Sequence, residues 1–285
     1  MRIIVLILLL FAGFLQSCGQ ETAEEKKTIS KKDSILNTEG TSVETRFLPP
    51  KGFVRMHAEE NSFAEYLRKL PLKPHNSEVK YFDGSTKKNN DVYDAVVNLP
   101  IGNKDLHQCA DAIMRLRAEY LWNTGQFEKI HFNFTNGFRV DYTEWMKGKR
   151  ITVKGNKTNW TGGGSPSNTY TDFWSYMEII FTYAGTLSLD KELKTVNTDE
   201  LQIGDIFIKG GSPGHAVIVV DAAVNPVTKE KIFLLAQSYM PAQEIQILKN
   251  PMNTEYSPWY SVNFGKTLNT PEWKFGKDRL KRFEE

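Results

Sequence analysis

Cysteine is nearly absent: the 285-residue chain has two, Cys18 and Cys109. A disulfide scaffold is therefore excluded. Charge of one sign is also missing, with 36 Lys+Arg against 34 Asp+Glu and a formal net charge of +2. No global field would draw the chain to nucleic acid, so no nucleic-acid partner is expected. Twenty Gly and 12 Pro are too few for a fibrous or low-complexity protein. The five histidines, His57, His75, His107, His131 and His215, are scattered without HxxxH or CxxC spacing. No metal site and no cofactor is expected. Gly162-Gly163-Gly164 is followed by Ser165-Pro166 rather than Lys-Ser/Thr, so it reads as a loop and not as a phosphate cradle.

One long apolar run is present, at the start. Arg2 precedes Ile3 to Leu15, a run too short to span a bilayer comfortably and suited to a secretory signal. It ends in Leu15-Gln16-Ser17-Cys18, which resembles a bacterial lipobox. That resemblance implies cleavage before Cys18 and lipidation of Cys18. The expected division is a signal peptide over 1–17, a lipidated Cys and flexible tether over 18–46, and a single globular domain over 47–285. Acyl chains on Cys18 would hold the mature protein at an envelope membrane, expected to be the outer membrane of a Gram-negative bacterium, while the body stays in water.

Residues 19–46 are rich in mixed charge, Ser and Thr, and offer little apolar surface to offset ordering. After them, Asn61–Leu70 has helical spacing with Phe63, Tyr66, Leu67 and Leu70 on one face. Val79–Phe82 and Val92–Leu99 read as strands, and Ile130–Phe134 with Phe138–Tyr142 as a hairpin around Asn136-Gly137. Asp105–Asn123 and Tyr170–Ala184 read as helices, and Asn156–Asn168 as a loop. Ile206–Lys209, Ala216–Asp221, Ile232–Ala236 and Glu244–Leu248 read as four strands of a meander, and the stretch from Pro251 as irregular. The fold class is α+β: N-terminal helices packed on a mainly antiparallel sheet.

Two segments carry chemistry. In DLHQCADAIMRLRAEYLW, Asp105 is expected as N-cap, with Gln108 completing the capping box. Cys109 then lies in the first turn, where helix N-terminal charge lowers a thiol pKa. Leu106, Cys109, Ile113, Leu116 and Tyr120 share a face, so a buried, inert Cys109 is the competing interpretation. Arg115, Arg117 and Glu119 read as a solvated or ion-paired face. In QIGDIFIKGGSPGHAVIVVDA, a Gly/Pro-rich turn delivers His215 to the start of a strand. A thiolate needs an imidazole as base, and the imidazole needs a third group to fix its tautomer. Gln237 and Ser238 lie in the strand expected to follow.

This arrangement resembles the papain-like amidases and endopeptidases of the NlpC and CHAP type. The resemblance implies a papain-like core with insertions, and a Cys109–His215–Gln237 catalytic set acting on an amide or peptide bond. Gln108, Ser238 and Trp160 are the candidate substrate-binding residues; Gln108 is also a candidate oxyanion donor. Peptidoglycan or peptide is the implied substrate. DLHQCADAIMRLRAEYLW, FTNGF, GDIFIKGGSPGHAVIVVD and LLAQSYMPAQEIQILKNP also resemble a domain-of-unknown-function family of Gram-negative lipoproteins (domain 4846), across most of residues 47–283. The alternative function is a noncatalytic envelope lipoprotein binding a glycan, peptide or protein partner.

Overall fold

The computed structural model describes residues 35–284. The expected signal peptide, Cys18 and the first part of the tether lie outside these residues. The end of the expected tether does not: Ile35 and Val43 are buried, and Val43–Arg46 forms a short helix, α1, capped by Ser42. Arg46 is buried as well, its Nε donating to the Gly40 carbonyl at 2.8 Å. The body thus begins by Ile35, because Ile35, Val43 and Phe47 find core partners that composition alone did not show.

The described chain is α+β, with six helices and a nine-stranded antiparallel sheet. After α1 come β1 (Val54–Arg55), α2 (Phe63–Arg68), β2 (Tyr93–Val96) and the long α3 (Cys109–Asn123). The hairpin β3 (His131–Asn133) and β4 (Arg139–Asp141) leads to α4 (Tyr142–Met146). A second hairpin, β5 (Arg150–Lys154) and β6 (Lys157–Thr161), precedes α5 (Tyr170–Tyr183) and α6 (Thr186–Glu192). Then follow β7 (Lys194–Thr195), β8 (Ile206–Lys209), β9 (His215–Val224), β10 (Lys231–Gln237) and β11 (Gln246–Leu248). The chain closes with β12 (Tyr260–Ser261), β13 (Thr267–Asn269), β14 (Lys274–Gly276) and β15 (Leu280–Arg282).

The main sheet runs in the order β2-β11-β10-β9-β8-β15-β7, with β1 on β9 and β12 on β10. Its central strand, β9, is apolar from Ala216 to Val220 because both faces are covered. Ala216, Ile218 and Val220 face the helices and share a core with Ala112, Ile113 and Leu116 of α3. Val217 and Val219 face the opposite layer, built from Phe207, Phe233, Tyr260, Leu268 and Phe275. That second layer explains the aromatic C-terminal segment, which is not irregular: β12 and β15 join the main sheet, and β13 and β14 pair with each other.

Three further expectations need correction. Val79–Phe82 makes only isolated bridges, Lys80 to Thr86 and Tyr81 to Gln243. The Asn156–Asn168 loop is partly strand, since Lys157–Thr161 pairs with Arg150–Lys154 in register. Arg115 and Glu119 are ion-paired, at 2.9 Å, as one of the two expectations had it, but the pair is buried, and Arg115 also lies 4.8 Å from the Trp174 ring.

Candidate active site

Helix α3 starts later than its sequence suggests. Gln108 is the N-cap, and its backbone N–H donates to Asp111 at 2.9 Å. Asp105 is drawn away from capping: its carboxylate accepts the Ala242 backbone N–H at 2.6 Å and the Gln108 side-chain amide at 3.1 Å. Cys109 is therefore the first residue of the helix, at its amide-rich end. Ala110, Ala112 and Ala118 are buried in the core, and Gly125, at φ 71°, ends the helix in the left-handed region.

The turn before β9 sets the position of His215. A Cβ on Gly214 would stand 2.4 Å from the Gly211 carbonyl oxygen and 2.8 Å from that of Lys209. The close approach therefore requires glycine at the residue next to the histidine.

Cys109 and His215 line the same cleft, which has a volume of about 610 Å³. Its walls are the start of α3 from Asp105, the segment Phe181–Thr186, the turn 211–215, and Tyr239, Met240 and Trp273. His215 is buried among rings, with centroids of Tyr239 at 4.8 Å, Trp273 at 5.4 Å and Phe275 at 5.9 Å. Its Nε2 lies 2.9 Å from Gln237 Oε1. Gln237 Nε2 in turn donates to Glu272 at 2.6 Å. Glu272 is held by Lys87, whose Nζ lies 2.9 and 2.8 Å from the two carboxylate oxygens and 2.9 Å from Gln243 Oε1. With Gln237 accepting, Nε2 carries the proton and Nδ1 is left as the basic nitrogen.

Burial dominates the electrostatics. The Cys109 thiol keeps partial solvent contact, yet burial, followed by the nearby Asp111 charge, raises its pKa to about 11. The Ala110, Ala216 and Cys109 backbone amides act against that rise. Burial lowers His215 to about 4; the Gln237 hydrogen bond opposes this and the Lys87 charge adds to it. Cys109 is thus a neutral thiol and His215 a neutral imidazole in the same cleft. Asp111 is raised well above the carboxylate range by the same desolvation.

The remaining expected site residues divide. Gln108 lines the cleft next to Cys109. Ser238 does not: it is fully buried, with its hydroxyl 2.9 Å from the His107 carbonyl and 2.7 Å from the Gln243 carbonyl, tying the sheet to the start of α3. Strand alternation explains this, because Gln237 and Ser238 point to opposite faces. Trp160 stands on β6 against Phe138, at 6.1 Å, and is not among the residues lining the cleft. Lys87, Tyr239, Glu272 and Trp273 were not expected. Lys87 and Glu272 are 185 residues apart and lie in no local pattern, so nothing in the sequence signalled their pairing.

Among the described residues, no group of three or more His, Cys, Asp or Glu is placed to hold a metal ion. No helix among them is long and apolar enough to cross a membrane. A family model described as domain of unknown function 4846 matches residues 43–282. The chain belongs to that family. Domain 4846 thus takes in α1 and every later element, including both residues of the Cys–His pair and all of the Lys87–Glu272–Gln237 network. Neither curated proteins nor solved structures gave a match.

Proposed function

We propose that the protein is an exported cysteine hydrolase of amide or peptide bonds, tethered to an envelope membrane through lipid on Cys18. The observation that carries this reading is the meeting of Cys109, at the first position of a helix, with His215, at the first position of a strand, in one open cleft. A polar side chain, Gln237, stands behind the imidazole. This is the nucleophile, base and orienting group that acyl transfer through sulfur requires. The same three positions support the likeness to NlpC-type and CHAP enzymes.

In the reaction, His215 Nδ1 takes the thiol proton as Cys109 sulfur bonds to the carbonyl carbon. Candidate donors to the developing oxyanion are the Cys109 backbone N–H and the Gln108 side-chain amide, which would exchange its bond to Asp105 for one to substrate. The C–N bond then breaks, His215 returns the proton to the leaving amine, and a thioester remains on Cys109. Water, deprotonated by His215, hydrolyses the thioester and restores the thiol. Because the resting pair is neutral, proton transfer accompanies attack rather than preceding it. A cell-wall peptide suits the expected compartment and a cleft of this size.

A second reading keeps the cleft and drops the chemistry: an envelope lipoprotein binding a glycan, peptide or protein partner there. The high thiol pKa and low imidazole pKa favour it. Turnover decides between the two. Peptidoglycan-derived muropeptides are incubated with the protein and with Cys109→Ala, and newly released amino groups are counted. Release that the substitution abolishes supports the hydrolase. Binding of the same fragments, undiminished in Cys109→Ala and without release, supports the binding protein.

A further inference from the structure

The network behind His215 is directional. Gln237 and Gln243 are amides, each able to present oxygen or nitrogen to a neighbour. Their orientation is therefore undetermined unless a neighbour can only donate or only accept. Two such neighbours are present. Lys87, 3 % exposed, only donates, and gives protons to Gln243 Oε1 and to Glu272. Glu272, the carboxylate paired with that lysine, only accepts. Gln237 must turn its NH2 to Glu272, over 2.6 Å, and so must turn its oxygen to His215. The imidazole then has one choice, to hold its proton on Nε2.

We propose that Glu272, held by Lys87, is a positioning residue that dictates through Gln237 which ring nitrogen of His215 is the base. This rests on the hydrolase reading for its use, but not for its test. Neither residue reaches the reacting atoms; both act through the amide. The obvious single-residue view, that Gln237 alone fixes the ring, fails because a glutamine bonded only to His215 fits either tautomer equally well. A carboxylate at the far end removes that symmetry, and a buried lysine that donates to both of its oxygens holds it as an acceptor.

The test is the tautomer. The full chain is labelled with nitrogen-15 at histidine, and the two ring-nitrogen shifts of His215 are read at neutral pH, with His215→Ala assigning the signals. The wild type is expected to show the Nε2–H form alone. In Glu272→Gln, the new amide is expected to give its oxygen to Lys87 and its NH2 to Gln237. Gln237 then flips, and His215 shifts towards the Nδ1–H form. Glu272→Asp keeps an acceptor and is expected to restore Nε2–H. Lys87→Met, which removes the donor that holds the carboxylate in place, is expected to mix the two forms. An Nδ1–H ring in the wild type, or an unchanged Nε2–H ring in Glu272→Gln, overturns the proposal. Should Glu272→Gln fail to fold, Lys87→Met and the wild-type spectrum decide: a pure Nε2–H ring in Lys87→Met also overturns it. Absence of any hydrolysis would sink the enzyme reading and leave these spectra as they are.

Discussion

Asp221, inside the central strand, accepts a hydrogen bond from Arg68 Nε over 2.7 Å, across 153 residues of chain. Arg55 Nε reaches the other carboxylate oxygen at 2.8 Å. Asp221 is fully buried, and the two arginines bring β1 and α2 onto the sheet that carries His215. Replacing the acid strands two guanidinium groups in a low-dielectric site. Asp221→Ala is expected to lower stability by about 3–5 kcal/mol, read as a shift in the urea midpoint. A change of under about 1 kcal/mol would mean that water satisfies the arginines and that the clamp is dispensable.

Glu192 gives a pH signature away from the cleft. Burial raises its carboxyl to about 7, against the Asn133 backbone N–H that donates to it at 2.8 Å. Its folded pKa lies above its ordinary value of 4.5, so the fold favours the protonated form. Its stabilising contribution is full below the ordinary value and is lost as pH rises through about 7. Glu192→Gln retains the acceptor and removes the ionisation. The variant is expected to gain roughly 1–3 kcal/mol over wild type at pH 8 and almost nothing at pH 4. An equal difference at both pH values would contradict the burial.

Gln108 and Ser238 separate chemistry from structure. Gln108 lines the cleft, whereas Ser238 braces two buried carbonyls. Gln108→Ala is expected to cut turnover roughly 10²–10³-fold while leaving the urea midpoint nearly unmoved. Ser238→Ala is expected to cost about 1–3 kcal/mol of stability and to spare turnover measured below its unfolding transition. The reverse pattern would exchange their roles.

The parts legible in the sequence are those whose information is local. Periodicity located α2, α3, α5 and the strands between Ile206 and Leu248, because each buries a face defined by its own residues. The Gly-rich turn and His215 were legible for the same reason. What failed depended on distant partners. Asp105 looks like a cap, but the Ala242 amide claims its carboxylate, which moves the helix start to Cys109. Residues 35–46 look like linker, but Val43 and Arg46 are buried against segments far along the chain. Ser238 sits one residue from Gln237, and only its bonds to the His107 and Gln243 carbonyls show that it is structural. Lys87 and Glu272, in segments without regular structure, were beyond any local pattern.

The central claim, that His215 serves Cys109 as a base, is tested most directly by the pH profile of thiol alkylation. The rate of iodoacetamide labelling of Cys109 is measured from pH 5 to 11, in the wild type and in His215→Ala. With a thiol near 11 and an imidazole near 4, the thiolate is roughly one part in ten thousand at pH 7. The wild type is expected to show a pH-independent plateau across neutrality, from attack assisted by the neutral imidazole, and a rise towards pH 11 as thiolate forms. His215→Ala is expected to lose the plateau, by tenfold or more at pH 7, and to keep only the rise. Superimposable profiles would contradict the account and leave Cys109 a packed cysteine beside a binding cleft.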